Sequence, residues 1–507
     1  MTLPGKGFAP LAAALAGGAL LPLGLAPFGW WPLALASTAL LAWLLEGSSA
    51  RTALARGFCY GVGLFAAGVH WVYVSIHHFG GEAPWIAFLL TAGLVALLAA
   101  CFALPFGAVP LAGRGGRFRL LGFPALWLLG EWLRSWWLTG FPWLYLGYAF
   151  TDTPLAGFAP LGGVLGVGGL AAWAAGALVH LGRGGRWRLL PLAAVLAAWP
   201  AGAALERIDW TRAAGPARSV ALVQPALLPQ QKWDEEGLYQ SLVRLAELSA
   251  PHWGVDLLVW PETAIPAPPD EVAPFLSRVD ELARAAGTAL VTGIVLREGG
   301  RYYNGVVVLG AGDGSYRKRH LVPFGEYLPL DRWLRGLIRF FDRPMSDFAA
   351  GPPRQAPLAA AGSALAVAIC YEIVFPDLVA RDAAAAQGIL TLSNDVWFGD
   401  SLGPHQHLQM ARMRALEHQK PVVRATNDGI TALIDERGRV VARLPRFAAA
   451  ALKGEFRPRE GATPYARWGS RPLVVLALVL FALSTRRWSA PGRREFGARV
   501  AHSPDGS

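Results

Sequence analysis

Three short segments carry residues able to do chemistry together. "LLVWPETAIP" places Glu262 just past an apolar run, and "KRHLVPFGEYLP" holds Lys318, Glu326 and Pro329. "ALAVAICYEIVF" ends an apolar run in Cys370, with Tyr371 and Glu372 directly behind it. A thiol becomes a nucleophile by losing its proton, and a carboxylate within reach can take that proton. A neighbouring ammonium favours the thiolate and stabilises the oxyanion of a tetrahedral intermediate. Glu, Lys and Cys are therefore the minimal parts for acyl transfer through a thioester. Each residue also has a plainer reading. A free cysteine is among the most buried residue types, a glutamate after a strand can cap a turn, and Lys318 stands in the basic run "YRKRH".

The elements that must position these residues alternate between strand-like and helical runs. "SVALVQPAL" precedes an amphipathic stretch at 235–249, and "DLLVWPET" precedes a helical stretch at 270–286. "TALVTGIVL", "YNGVVVLG", "ALAVAICYEI", "GILTLSND" and "PVVRATNDGITALIDERGRVVA" follow. Several are continuous apolar runs, as expected of strands buried on both faces, and the alternation predicts an α/β layered sandwich. Glu262 and Cys370 each sit where such a run ends, and sites in α/β sheets form beyond the carboxyl ends of strands. There is no Gly-rich phosphate loop and no zinc spacing, so neither a cofactor nor a metal is expected. His405, His407 and His418 lie close together without a ligand set of Cys or carboxylates, and they read as polar helix-entry residues.

Around this domain the chain turns apolar. Only 16% of its 507 residues are charged, against about 25% in soluble domains, and the deficit is concentrated in residues 1–205 and in "RPLVVLALVLFALSTRR". Eight membrane spans are expected, at about 9–27, 29–46, 54–76, 84–108, 120–137, 157–181, 188–205 and 472–485. Loops bearing Lys or Arg alternate with loops bearing none. Lys6, Arg51 and Arg56, Arg114 to Arg119, and Arg183 to Arg188 mark one side, whereas "FGWW", "IHHFGGEAP" and "LTGFPWLYLGYAFTDTP" mark the other. The positive-inside rule then puts both termini in the cytoplasm and the sandwich outside it. The expected plan is a seven-span domain at 1–205, an outer domain at 217–458, an eighth span at 471–486 and a basic cytoplasmic tail at 487–507. The net charge of +11 falls largely in the loops, which argues against a nucleic-acid partner. Three cysteines make no disulfide framework: Cys59 and Cys101 lie in spans, leaving Cys370 alone in the outer domain. Glu131 and Arg134, in or near the fifth span, read as a pair at its outer end. The stretch "DRWLRGLIRFFDRP" reads as a basic amphipathic helix suited to a membrane interface, or as a helix packed on its own domain.

In order along the chain, "WPET", "K-x-H-L-V-P-F-G-E" and "CYE" resemble the nitrilase, or carbon–nitrogen hydrolase, superfamily, whose triad is Glu-Lys-Cys. "HWVYVSIHHFGG", "LTGFPW", "HLVPFGEYLP", "SNDVWFG", "HLQMARMRALE" and "NDGITA" narrow the resemblance to its membrane branch, the apolipoprotein N-acyltransferases. The resemblance implies an αββα nitrilase-type sandwich on an eight-span helical base in the bacterial inner membrane, with the sandwich in the periplasm. It implies that an acyl chain passes from a phospholipid donor, typically phosphatidylethanolamine, to the α-amine of a diacylated apolipoprotein acceptor. It assigns Glu262 as base, Lys318 as catalytic lysine, Cys370 as nucleophile and Glu326 as a further essential glutamate. Trp233, Pro329, Tyr371, Glu372 and Trp397 are expected at the substrate pocket and its loops. The family carries Ala more often where Val396 stands here. The enzymatic alternative is a membrane-anchored amidase that hydrolyses a C–N bond. A transporter with an appended outer domain is disfavoured by the scarcity of charge within the spans.

Overall fold

The computed structural model describes residues 7–183, 189–228, 235–336 and 347–486. A helix occupies each of the eight apolar stretches. Pro84–Leu111 and Pro154–Leu181 are long and apolar enough to cross a membrane, and Ala50–Gly68 with Trp71–Phe79 makes a third if the 53° bend between them is read as one broken span. Phe8–Gly24, Trp31–Leu45, Leu189–Leu205 and Arg471–Thr485 are apolar but shorter. The remaining stretch is helical at Phe118–Gly122 and Phe123–Arg134. At one end of this bundle Arg119 and Arg183 converge on Glu46, at 2.7 and 3.4 Å, and Arg117 donates to the carbonyl of Arg486 at 2.5 Å. Four connections that are far apart in sequence therefore meet at one end. The opposite end carries the sandwich.

Among the described residues fourteen strands form in chain order: β1 Thr211–Ala213, β2 Arg218–Gln224, β3 Leu257–Val259, β4 Ala289–Glu298, β5 Arg301–Gly310, β6 Ser315–Arg317, β7 Leu358–Ala360, β8 Ser363–Ile369, β9 Gly388–Ser393, β10 Val422–Thr426, β11 Ala432–Ile434, β12 Val440–Arg443, β13 Ala450–Phe456 and β14 Arg459–Gly461. One six-stranded sheet has the order β13-β2-β3-β4-β5-β6, with β2, β3 and β4 parallel at its centre. The other has the order β12-β11-β10-β9-β8-β7, with β8, β9 and β10 parallel. β1 pairs with β14 alongside.

The two sheets bury a common apolar core. Val220, Leu222, Val259 and Val291 of one meet Leu365, Val367, Ile369 and Leu392 of the other. Both faces of each sheet are covered, which explains why the central strands are apolar throughout rather than alternating. Helices Glu235–Ser249 and Ala273–Ala286 cover the outer face of the first sheet. Pro376–Ala383 and Gly403–His418 cover the second, and their buried residues belong to the same apolar cluster as the helical bundle. The layers are α-β-β-α, and the last helical layer rests on the bundle.

Candidate active site

Glu262 leaves the sheet where Pro261 stops the β3 ladder, since proline has no N–H to donate. The turn fits because Gly293 of β4 lies beneath it. A Cβ there would stand 2.3 Å from Pro261 O and 2.6 Å from Thr263 N. Lys318 follows β6, and its backbone N–H bonds to Asn304 O of β5 at 2.8 Å, so the two side chains are cross-strand neighbours. Together they build a buried ionic knot. Lys318 Nζ donates to Glu262 Oε1 at 3.2 Å and to Glu326 Oε1 at 2.8 Å. Asn304 Nδ2 spends its two protons on the same oxygens, at 2.7 and 2.8 Å. Glu262 Oε2 accepts from Asn394 N at 2.7 Å, and Glu326 Oε2 from Val322 N at 2.8 Å. All four side chains are buried. A carboxylate has about four acceptor sites. Among the described residues three donors occupy those of Glu262, and the place left is on Oε2.

Cys370 stands at the end of β8 with φ at 49°, a left-handed backbone that a cysteine seldom adopts. A short helical turn, Cys370–Val374, follows. Glu372 fixes this strand-to-turn junction from inside. Its fully buried carboxylate accepts from Ile369 N at 2.8 Å, Arg319 N at 2.7 Å, His320 N at 3.2 Å and Tyr316 Oη at 2.9 Å. One side chain thus ties the turn at Cys370 to the strand end that carries Lys318. Tyr371 points the other way, donating to Gly140 O of the helical bundle at 3.0 Å. Both were expected at the substrate pocket. In the structure Glu372 has no exposed surface and the Tyr371 hydroxyl is spent on a backbone carbonyl, so both help to hold the turn.

Electrostatics favour a resting thiol. Burial pushes the Cys370 thiol well up, Glu262 adds to that, and Lys318 opposes it. Burial alone would pull the Lys318 ammonium down, but Glu262 and Glu326 outweigh it and hold Lys318 above its ordinary value, firmly charged. Proximity of the lysine therefore does not by itself make a standing thiolate. A nucleophilic role for this sulfur would require its proton to leave during attack.

The structure brings Glu262, Lys318, Glu326, Cys370 and Glu372 together. Pro329 is half-buried on the loop beyond Tyr327, and Trp397 stands at the junction with the bundle, where Ser75 Oγ donates to its carbonyl at 2.7 Å and Phe79 meets its ring at 6.2 Å. Trp233, and the helix expected in "DRWLRGLIRFFDRP" beyond Gly336, lie outside the described residues. Asp331–Leu334 forms one helical turn with Trp333 exposed, and the backbone is extended again at Arg335. Sequence reasoning missed Asn304, which it passed over inside the strand "YNGVVVLG". It also missed a second buried group, Asp395 with His407 and Arg424. An amide and a guanidinium within apolar strands, at "YNGVV" and "PVVRAT", were the signals available.

A sandwich of this layering with a Glu-Lys-Cys cluster at its strand ends defines a carbon–nitrogen hydrolase domain, and the carbon–nitrogen hydrolase family profile matches residues 219–461. The apolipoprotein N-acyltransferase N-terminal domain profile matches residues 17–177. The chain is 48% identical over 497 residues to the apolipoprotein N-acyltransferase of Pseudomonas paraeruginosa, covering 96% of this chain and 97% of that one. It is 48% identical over 501 residues to that of Azotobacter vinelandii, covering 94% and 96%. It belongs to the apolipoprotein N-acyltransferase family. Among solved structures, a carbon–nitrogen hydrolase superfamily protein of Xanthomonas campestris aligns with a TM-score of 0.37 at 18% identity, over 52% of this chain and 97% of that one.

Proposed function

We propose that the enzyme carries an acyl chain from a phospholipid, with phosphatidylethanolamine as the working donor, on Cys370 to the N-terminal amine of diacylglyceryl-cysteine on an apolipoprotein. The observation that carries this reading is the buried knot beside Cys370. It holds a charged lysine between two carboxylates and leaves one acceptor place on Glu262 Oε2. Glu262 takes the thiol proton as Sγ bonds to the ester carbon, and Lys318 stabilises the resulting oxyanion. The ester C–O bond breaks, and the proton on Glu262 passes to the departing lysophospholipid oxygen. The lipoprotein amine then attacks the thioester. The C–S bond breaks, and the amine proton returns through Glu262 to the sulfur. Donor and acceptor use one site in turn, which makes the kinetics ping-pong. Glu326 and Asn304 hold the base and the lysine in place.

The proposed setting is the inner membrane, with eight crossings, the sandwich in the periplasm and both termini in the cytoplasm. The gathering of Arg117, Arg119 and Arg183 with Glu46 and the Arg486 carbonyl at the bundle end away from the sandwich supports it. The trial of this reading uses the full-length enzyme in phospholipid nanodiscs with a radiolabelled acyl donor. Label is expected on Cys370 as a hydroxylamine-sensitive thioester, and added diacylated lipopeptide should discharge it into an N-acyl product. Discharge to free fatty acid at the same rate with and without lipopeptide would favour the amidase-type alternative.

A further inference from the structure

Behind the nucleophile lies a buried polar group that the acyl-transfer chemistry does not use. His407, on the first turns of helix Gly403–His418, has no exposed surface. Its Nε2 lies 3.1 Å from the backbone carbonyl of Cys370. Its Nδ1 lies 3.0 Å from Asp395 Oδ1 and 3.2 Å from Arg424 Nη2. Arg424 also donates to Asp395 Oδ2 at 2.6 Å, and Ser393 Oγ donates to Asp395 Oδ1 at 2.5 Å. A carbonyl only accepts, so Nε2 must carry a proton. Nδ1 is matched in either state of the ring: protonated it donates to Asp395, and unprotonated it accepts from Arg424. The surroundings therefore keep the Nε2 proton on the ring whatever its charge.

That donor meets the carbonyl at the head of the nucleophile turn. Cys370 sits past the last ladder pair of β8, Ile369 with Leu392, and in a left-handed conformation. Its carbonyl has left the sheet and opens the short helical turn Cys370–Val374, which takes one of its two lone pairs, and His407 stands at hydrogen-bond distance to take the other. The next residue back, Gln406, faces the helical bundle. Its Oε1 accepts from Trp143 Nε1 at 2.6 Å, and its Nε2 donates to Gly68 O at 3.1 Å, at the break between Ala50–Gly68 and Trp71–Phe79.

We propose that His407 is a positioning residue for the acyl transfer: its Nε2–H holds the carbonyl of Cys370 and fixes the left-handed turn that presents the sulfur, while Gln406 locks the same helix to the bundle. The proposal rests on Cys370 being the nucleophile. In it, His407 touches neither acyl group nor leaving group and exchanges no proton with them.

The test compares His407→Gln with His407→Met in full-length enzyme in nanodiscs, reading the pre-steady-state rate of thioester formation from labelled phospholipid and the KM for that lipid. The glutamine amide stands as many bonds from the backbone as Nε2 and can donate to Cys370 O, whereas methionine has similar length and no donor. Glutamine is expected to keep the burst rate within about threefold. Methionine is expected to lower it about 100-fold, the scale of an ångström-size misplacement, with KM unchanged. If His407→Met does not fold, His407→Asn takes its place, since its amide stops one atom short of the carbonyl. Equal rates in the donor and non-donor variants, or a loss that appears only in KM, would overturn the proposal. Absence of any thioester in the unsubstituted enzyme would instead defeat the reading of Cys370 as nucleophile.

Discussion

Replacing Glu372 by glutamine separates two roles for a residue that never meets solvent. The carboxylate accepts from Arg319 N and His320 N on Oε1, from Ile369 N on Oε2, and from the Tyr316 hydroxyl, which lies 2.9 Å from both oxygens. A glutamine can keep only one oxygen. Put at Oε1, it preserves the bonds to the lysine strand but aims an NH2 at the Ile369 N–H, a donor against a donor at 2.8 Å. Put at Oε2, it turns the NH2 against two backbone donors at once. The first arrangement is the cheaper, and Tyr316 can rotate its proton away to accept from the amide. The cost is one buried unsatisfied donor and one lost charge-assisted bond, roughly 2–4 kcal/mol of stability. Ile369 immediately precedes the nucleophile, so relief comes by moving the turn that presents Cys370. A shift near 1 Å costs about 100-fold in rate, about 2.7 kcal/mol of barrier. The assay is rapid-quench thioester formation over a range of phospholipid concentrations, with thermal unfolding run in parallel. Glu372→Gln is expected to lower the maximal burst rate about 100-fold at unchanged half-saturation. A raised half-saturation with an intact maximal rate would restore Glu372 to the substrate pocket and refute the positioning argument.

Two further outcomes follow from the charges. Burial and then Glu262 hold the Cys370 thiol up, so alkylation by iodoacetamide should climb through pH 9 without levelling off. Glu262→Gln removes one of the raising influences. It should speed alkylation at about pH 8 while abolishing thioester formation, and slower alkylation in that variant would break the electrostatic link between the two residues. Separately, Asp395 and Arg424 are both fully buried and paired at 2.6 Å, so Arg424→Met strands a carboxylate and should cost about 3–5 kcal/mol in equilibrium unfolding. Burial pushes the Asp395 carboxyl up, but Arg424 and then His407 outweigh it and hold the group well below the ordinary carboxylate range. Such a depressed group contributes stability above the ordinary value near 4, and the contribution fades as pH falls below it. The unsubstituted enzyme should therefore lose stability below about pH 4 more steeply than Arg424→Met, and parallel acid profiles would contradict this.

The Glu-Lys-Cys cluster was legible because its chemistry is written in short segments at strand ends. "WPET" and "AICYE" each follow an apolar run, and the fold places both at the carboxyl ends of central strands, β3 and β8. Lys318 and Glu326 were legible for the same reason, lying eight residues apart on one loop. What escaped was polarity inside strands. Asn304 and Arg424 sit in runs whose apolar neighbours set the pattern, and a periodicity argument treats a single polar residue there as noise. Physically each is the costliest residue in its strand and needs partners, which Asn304 finds in two carboxylates and Arg424 in one. The apolar helices were visible from composition, yet their lengths were not. Leu189–Leu205 and Arg471–Thr485 are shorter than a full bilayer crossing, and the stretch at 54–76 bends at Gly68 instead of running straight.

Helix Gly403–His418 shows why the largest omission was not one of motif. Its sequence, "GPHQHLQMARMRALEH", is too polar to read as interior, yet most of it is buried. The polar side chains are the contacts. Gln406 bonds Trp143 and Gly68, Gln409 bonds Ala26 N at 3.0 Å and Tyr148 O at 2.9 Å, and Glu417 accepts from Val164 N at 2.8 Å. Apart from the Trp143 indole, the partners are backbone groups at helix ends, kinks and short turns of the bundle, and such groups must be satisfied once water is excluded. A sandwich that stood alone in solvent would need a helix here to cover the sheet, but not these buried polar contacts. Here the layer beneath β8 doubles as the seal on the bundle, and the nucleophile turn is gripped from both sides: by Glu372 from the lysine strand, and by His407 and Tyr371 from the bundle side. Hydrogen bonds from both sides fix where that turn presents its sulfur. On the proposed mechanism the ester carbonyl is delivered to a sulfur held in place, and the moving parts of the reaction belong to the two lipid substrates and not to the strand end that carries Cys370.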